Sequence, residues 1–384
     1  MRLFIAFFIL AFNVYGSGLL TGAQNQSAYF PSLKDKSVAM VVNQSSTVGD
    51  QHLVDLLLQK GVKVKTIFAP EHGFRGRADA GEHIKDGIDK KSGLPIVSLY
   101  GKHKKPTPDD LKDVEIIVFD IQDVGVRFYT YLSTLHYVME AAAENNIAVI
   151  VLDRPNPNAN RIDGPMLKKE FSSFVGLHPV PVLYGMTIGE YALMINGEGW
   201  LKGGVKADLR VITLQHYDHD TFYRLPIKPS PNLPNDLSIA LYPSLALFEG
   251  TVISAGRGTT KQFQLYGAPK YTKKGFSFVP VPRDGAKYPK HKNRVCYGVD
   301  LSGISLEAVH TSKKMSLEYL LDAYTNYGEK EKFFLKNGFI DRLAGSNELR
   351  KQIVAGNSEK EIRESWEDDL EHFREMRKKY LLYL

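Results

Sequence analysis

A chain of 384 residues, 43% hydrophobic, 24% charged and 11% aromatic, is long enough for two domains, and its composition excludes a disordered chain, a collagen-like fibre and a disulfide-stapled mini-protein. The single cysteine, Cys296, has no intrachain partner, and Lys plus Arg exceed Asp plus Glu by only six, 49 against 43. With no block of five or six like charges, nothing marks a nucleic-acid arm, and the mild positive balance suits an anionic small molecule or polymer better than DNA.

The first 17 residues read as a secretory signal. Arg2 is followed by an apolar run over residues 3–12 and a small-residue exit, Gly16-Ser17-Gly18. Ten apolar residues fall short of the ~20 that a permanent membrane span requires, and no cysteine near the exit offers a lipid attachment point. The mature chain is therefore expected to be exported, periplasmic in a bacterial envelope, with no stable membrane insertion.

Five short runs rich in Val and Ile predict buried strands at residues 38–43, 62–69, 95–100, 114–121 and 147–153. Between them lie helical patterns. Residues 50–60 place Leu53, Leu56 and Leu57 on one face, with Gly61 as a stop, and residues 130–145 do the same with Leu132, Leu135, Val138 and Met139. The alternation predicts an α/β fold: a Rossmann-like, mostly parallel sheet with helices on both faces. Right-handed crossovers bring every strand's C-terminal end to one edge, the edge at which open α/β sheets bind ligands.

Polar residues concentrate at that edge. The second strand exits into Pro70-Glu71-His72-Gly73-Phe74-Arg75, the fourth into Asp120-Ile121-Gln122-Asp123-Val124-Gly125-Val126-Arg127-Phe128-Tyr129, the fifth into Asp153-Arg154-Pro155-Asn156. No G-x-G-x-x-G follows the first strand, so a nicotinamide cofactor is not expected, and neither G-x-S-x-G nor H-E-x-x-H occurs. No other cofactor and no metal is implied.

The second half is less periodic. A proline-dense connector at residues 226–234 predicts the domain boundary, giving a domain over 18–228 and a smaller C-terminal α/β auxiliary domain over 229–384 that closes a cleft. Residues 358–380 read as one long charged helix with Ile362, Trp366, Leu370, Phe373 and Met376 on its buried stripe.

Several of these segments carry a resemblance. Pro70-Glu71-His72-Gly73, the block from Asp120 to Tyr131, Leu152-Asp153-Arg154-Pro155-Asn156-Pro157, Ser230-Pro231-Asn232-Leu233-Pro234 and Leu247-Phe248-Glu249-Gly250-Thr251 resemble the exo-β-N-acetylmuramidase family, from about Thr21 to the C-terminus. The resemblance implies a two-domain enzyme that removes N-acetylmuramic acid from the non-reducing end of peptidoglycan fragments or muropeptides. It also implies a cleft between a Rossmann-like domain and a smaller one, and it places the family's proposed catalytic acid on Glu71. The chain departs from the family pattern at Lys261, where an arginine-proline pair is expected.

Glycoside hydrolysis needs a proton donor at the leaving oxygen and a second group that handles the anomeric carbon. Glu71 is assigned as the general acid, with His72 to orient it. Asp120 and Asp123 are the candidates for the second carboxylate, and the sequence leaves open which faces the cleft. The lactyl carboxylate of muramic acid calls for a fixed cation: Arg127 or Arg154, then Arg75 or Arg257. Tyr129 offers a face for stacking, Asn156 and Asn232 offer hydrogen bonds, and Glu249 is the candidate from the second domain. Two other classes use the same residues: a metal-dependent hydrolase built on His72, His103, Asp120 and Asp153, and a non-catalytic envelope sugar-binding protein.

Overall fold

The computed structural model describes residues 18–74 and 86–383; the predicted signal segment and Arg75 lie outside them. All five predicted strands form, their ends shifted by one or two residues: β1 (Ser37–Val42), β2 (Lys63–Ala69), β3 (Pro95–Ser98), β4 (Ile116–Asp120) and β5 (Ala148–Leu152). A sixth, β6 (Leu209–Ile212), pairs parallel with β5 at the sheet edge. Sequence reading missed it because an edge strand of four residues, with exposed Arg210 inside it, shows no apolar run. The sheet runs β6-β5-β4-β1-β2-β3, all parallel, with the two-residue strand Gly87–Ile88 added antiparallel beyond β3. This is the strand order of the dinucleotide-binding folds, reached without their glycine fingerprint.

Alternation along each strand divides the core between the two faces. Val38, Met40 and Val42 of β1 pack with helices α1 (Gln26–Leu33) and α2 (Leu53–Gln59). Ala39 and Val41 point the other way, into a cluster with α3 (Tyr131–Glu144) and α4 (Ile188–Gly197). That second cluster continues unbroken into the C-terminal half, through Leu245, Phe248, Tyr266 and Leu343, so the two halves share one apolar core.

The smaller half opens with the helix Asp236–Leu245, started by a capping box in which Asn235 and Ser238 satisfy each other's backbone N–H groups. It continues into a three-stranded antiparallel sheet of Leu265–Ala268, Cys296–Asp300 and Ser277–Phe278, with Cys296–Asp300 in the middle. The predicted C-terminal helix is two helices, Glu359–Glu364 and Glu367–Lys378. Trp366 breaks it by leaving helical dihedrals (φ −125°, ψ 5°) while its ring stays buried with Ile362, Leu370 and Phe373. The chain end then returns to the first domain. The Tyr383 hydroxyl donates to Asp153 Oδ2 at 2.6 Å, and Arg377 Nε donates to the Gly185 carbonyl at 3.0 Å.

Candidate active site

Beyond the ends of β2 and β3, a cavity of about 270 Å³ is walled by both halves of the molecule. Its polar lining is Glu71, His72, Thr130, Ser230, Asn232, Glu249 and Arg257, set among aromatic rings that include Tyr100, Phe128, Tyr129, Phe174 and Tyr242. Convergent polar groups in a concavity otherwise lined by aromatic and aliphatic side chains are the usual make-up of a small-molecule site.

Glu71 arrives from the exit of β2, in a turn closed by the Gly73 N–H donating to the Pro70 carbonyl at 2.9 Å. Both His72 (φ 71°) and Gly73 (φ 77°) adopt the left-handed conformation, which costs a histidine energy that a glycine does not pay. Thr130 stands at the N-cap position of α3, yet its side chain makes no cap bond. Its hydroxyl donates instead to Glu71 Oε2 at 2.6 Å, which fixes the plane of the carboxyl. His72 Nε2 lies 3.3 Å from Ser230 Oγ and so ties this turn to the connector.

The second half contributes Glu249 and Arg257. Glu249 sits in the 3-10 turn Ala246–Gly250, whose outgoing carbonyls are gathered by one ammonium. Lys290 Nζ donates to the carbonyls of Phe248 (2.7 Å), Thr251 (2.8 Å) and Glu249 (3.2 Å). Burial holds this lysine below its ordinary range. Nothing in the local sequence announced Lys290, because its partners are backbone groups some forty residues away. Arg257 Nη1 lies 3.6 Å from Glu249 Oε2, and its Nη2 donates to the Gly285 carbonyl at 3.1 Å. It is the one Lys or Arg among the described residues that lines the cavity. Lys261 turns away to pair with Asp300 at 2.6 Å.

The remaining candidates are placed elsewhere or tied into the wall. Tyr129 makes T-shaped contacts with Tyr131 and Tyr242 and donates its hydroxyl to the Pro229 carbonyl at 2.8 Å, so it is held in the cavity wall. Asn232 lines the cavity while its Nδ2 donates to Gly285 O at 2.7 Å. Asp120 and Arg154 do not reach the cavity: they form a buried bidentate pair, Nε to Oδ1 at 2.5 Å and Nη2 to Oδ2 at 2.9 Å. Arg127 is likewise buried, its guanidinium donating to the carbonyls of Pro165, Val180 and Leu343, so it joins the two halves instead of gripping a ligand. Desolvation by burial pushes Arg127 down to about 9. Asn156 donates to Met186 O and accepts from the Asn158 N–H. Its Oδ1 would lie 2.1 Å from a Cβ at position 125, so Gly125 (φ 74°) is required twice over.

Asp123 is buried too, accepting from the Gly125 N–H at 2.6 Å and from the Tyr184 hydroxyl. Desolvation raises its carboxyl to about 7, partly offset by those hydrogen bonds. The folded chain therefore keeps a proton that the unfolded chain has lost above about pH 4. Between about pH 4 and 7 this group makes the protein less stable as pH rises, by about 1.4 kcal/mol per pH unit at most. Denaturant unfolding of wild type and Asp123→Asn is expected to show the wild type losing ground to the variant across that window. A pH-independent difference would contradict the assignment.

Among the described residues no group of three or more His, Cys, Asp or Glu is placed to hold a metal ion. His103 instead pairs with Asp110 at 3.0 Å, and Asp153 accepts from Thr187 and Tyr383.

A sheet of six parallel strands in Rossmann order, extended by one antiparallel strand and fused to a smaller domain, with Glu71 and Glu249 lining one cavity between them, defines a two-domain α/β protein. The sequence comparisons give the family. Residues 38–237 match the family model described as exo-β-N-acetylmuramidase NamZ, N-terminal, and residues 240–383 match its C-terminal counterpart. The chain belongs to the exo-β-N-acetylmuramidase NamZ family. It is 42% identical over 382 residues to the peptidoglycan β-N-acetylmuramidase NamZ of Bacillus subtilis, covering 92% of this chain and 89% of that one. Two crystal structures of DUF1343 family proteins from Bacteroides fragilis share the fold. One has a TM-score of 0.89 at 46% identity, covering 96% of this chain and 99% of the other; the second has 0.80 at 29%, covering 95% and 99%.

Proposed function

We propose that this chain is an exo-acting glycoside hydrolase that releases N-acetylmuramic acid from the non-reducing end of peptidoglycan fragments, with Glu71 as the general acid. One observation carries the assignment of roles: Glu71 from the larger domain and Glu249 from the smaller one enter the same cavity, with Arg257 beside them. The family membership and the named Bacillus relative supply the reaction class.

In this reading Glu71 gives its proton to the bridging oxygen as the glycosidic bond breaks. Glu249 faces the anomeric side, as nucleophile or as the base that activates water. Arg257 receives the lactyl carboxylate, a charge-assisted contact that a glucosamine unit cannot make. The test is a short glycan ending in muramic acid against the same glycan capped by glucosamine. Release from the first alone is expected, and the anomer first formed reports inversion or retention. Arg257→Met is expected to weaken binding of N-acetylmuramic acid about 10- to 100-fold, measured by calorimetry, and to leave N-acetylglucosamine binding unchanged. Equal weakening of both sugars would remove the arginine from carboxylate recognition.

We further propose that the chain is exported to the periplasm. The short basic start, the apolar run at residues 3–12 and the small-residue exit support this, and N-terminal sequencing of the protein recovered from cells checks it. Among the described residues no helix is long and apolar enough to cross a membrane.

A further inference from the structure

Residues 270–294 hold eight lysines and arginines against a single acid, Asp284, a net of +7. The whole chain carries +6, so everything outside this segment sums to −1. The excess positive charge of the protein is thus confined to one stretch of the smaller domain.

Its C-terminal part borders the cavity. The Gly285 carbonyl accepts from Asn232 and Arg257, both cavity-lining, and the half-buried Lys290 donates to the carbonyls of the turn that carries Glu249. Backbone hydrogen bonds fix the segment: Arg283 and Ala286 bond reciprocally, Val281 N–H donates to Gly258 O, and Asn293 N–H donates to Pro280 O. On this frame Arg283, Lys292 and Arg294 are exposed, and none of the ion pairs among the described residues includes them. Lys270 and Lys273, farther along, are neutralised by Glu329 and Asp322. Tyr288, between the cations, exposes 88% of its surface.

We propose that this basic, tyrosine-bearing face is the docking surface for the rest of the glycan chain that leaves the cavity. The inference rests on the reaction proposed above. A cavity of about 270 Å³ takes the terminal sugar, so an exo-acting enzyme leaves the rest of the polymer outside. Every further muramyl unit of that polymer carries a carboxylate on its lactyl group or on its peptide. Exposed cations on a segment that borders the cavity meet that repeating negative charge, and the exposed Tyr288 ring offers an apolar face to a pyranose. Contacts between exposed charges are weak one at a time and screened by salt, so the surface acts by holding long chains, with little effect on the chemical step.

The experiment compares wild type with Arg283→Gln/Lys292→Gln/Arg294→Gln on a muramyl disaccharide and on long muramic-ended chains, at about 20 and 300 mM salt. The triple variant is expected to lose about tenfold in kcat/KM on long chains, through KM, with the disaccharide unaffected; high salt should erase the wild-type preference for length. An unchanged long-to-short ratio overturns the proposal. A second arm needs no turnover: both proteins, each also carrying Glu71→Gln, are titrated with long chains, and affinity should fall about tenfold in the triple variant. Equal affinity overturns the docking surface. So does loss of binding confined to polyphosphate or to anionic vesicles, which would mark a different polyanion. Failure of wild type to cleave either glycan would sink the proposed reaction, and the binding arm would still decide the surface.

Discussion

Replacing Glu71 by Gln is expected to lower kcat about 10³-fold on a muramyl–glucosamine disaccharide, with little change in KM or in unfolding midpoint. The amide keeps the shape of the side chain and can still accept the Thr130 hydroxyl bond made at 2.6 Å, so the turn after β2 has no reason to rearrange. What it cannot do is supply a proton. That deficit depends on the leaving group: a sugar alkoxide needs protonation, whereas a 4-nitrophenolate departs nearly unaided. The loss should therefore shrink to about tenfold or less on a 4-nitrophenyl muramide. Glu249→Gln gives the control, because a group acting at the anomeric carbon is missed with either leaving group. If Glu71→Gln were equally slow on both substrates, its role would lie in positioning or charge, and the general acid would have to be sought elsewhere in the cavity.

The larger domain was legible because its strands are buried on both faces and spell themselves out in Val and Ile. β6 escaped because an edge strand is half solvated, and the C-terminal helix was read too long because its apolar stripe runs on through Trp366, where only the dihedrals change. The site was legible to a coarser degree. Topology says which loops share an edge, which places Glu71 and His72, while Asn232, Glu249 and Arg257 reach the same cavity wall from the connector and the smaller domain. It does not say which polar side chains at that edge are consumed by one another. The block from Asp120 to Tyr131, the most specific stretch of the sequence, is largely framework. Gln122 Nε2 bonds the carbonyls of Asp123 and Pro155, Arg127 bonds three more, and Gly125 makes room for Asn156. Buried polar groups need exact partners, so they constrain a sequence as tightly as catalysis does. Lys290 and the Thr130 hydroxyl left no trace a sequence could show, since each acts on a distant partner.

The pair Asp120–Arg154 allows framework and chemistry to be separated by measurement. Asp120 is fully buried and Arg154 nearly so, and Arg154 Nη2 also donates to the Thr47 carbonyl at 3.1 Å. Removing either charge strands the other in a medium that cannot solvate it. Asp120→Asn and Arg154→Met are therefore each expected to cost about 3–5 kcal/mol in denaturant unfolding. Replacing both, as Asp120→Leu/Arg154→Met, removes the stranded charge along with the bond, and a good part of that loss should return. Activity per folded molecule should stay near wild type in all three variants below the transition, because neither side chain reaches the cavity. The opposite pattern, an Asp120→Asn protein as stable as wild type but inactive, would return this aspartate to the reaction. The sign of the non-additivity decides, because a catalytic carboxylate gains nothing when its neighbour is deleted, whereas a stranded buried charge does.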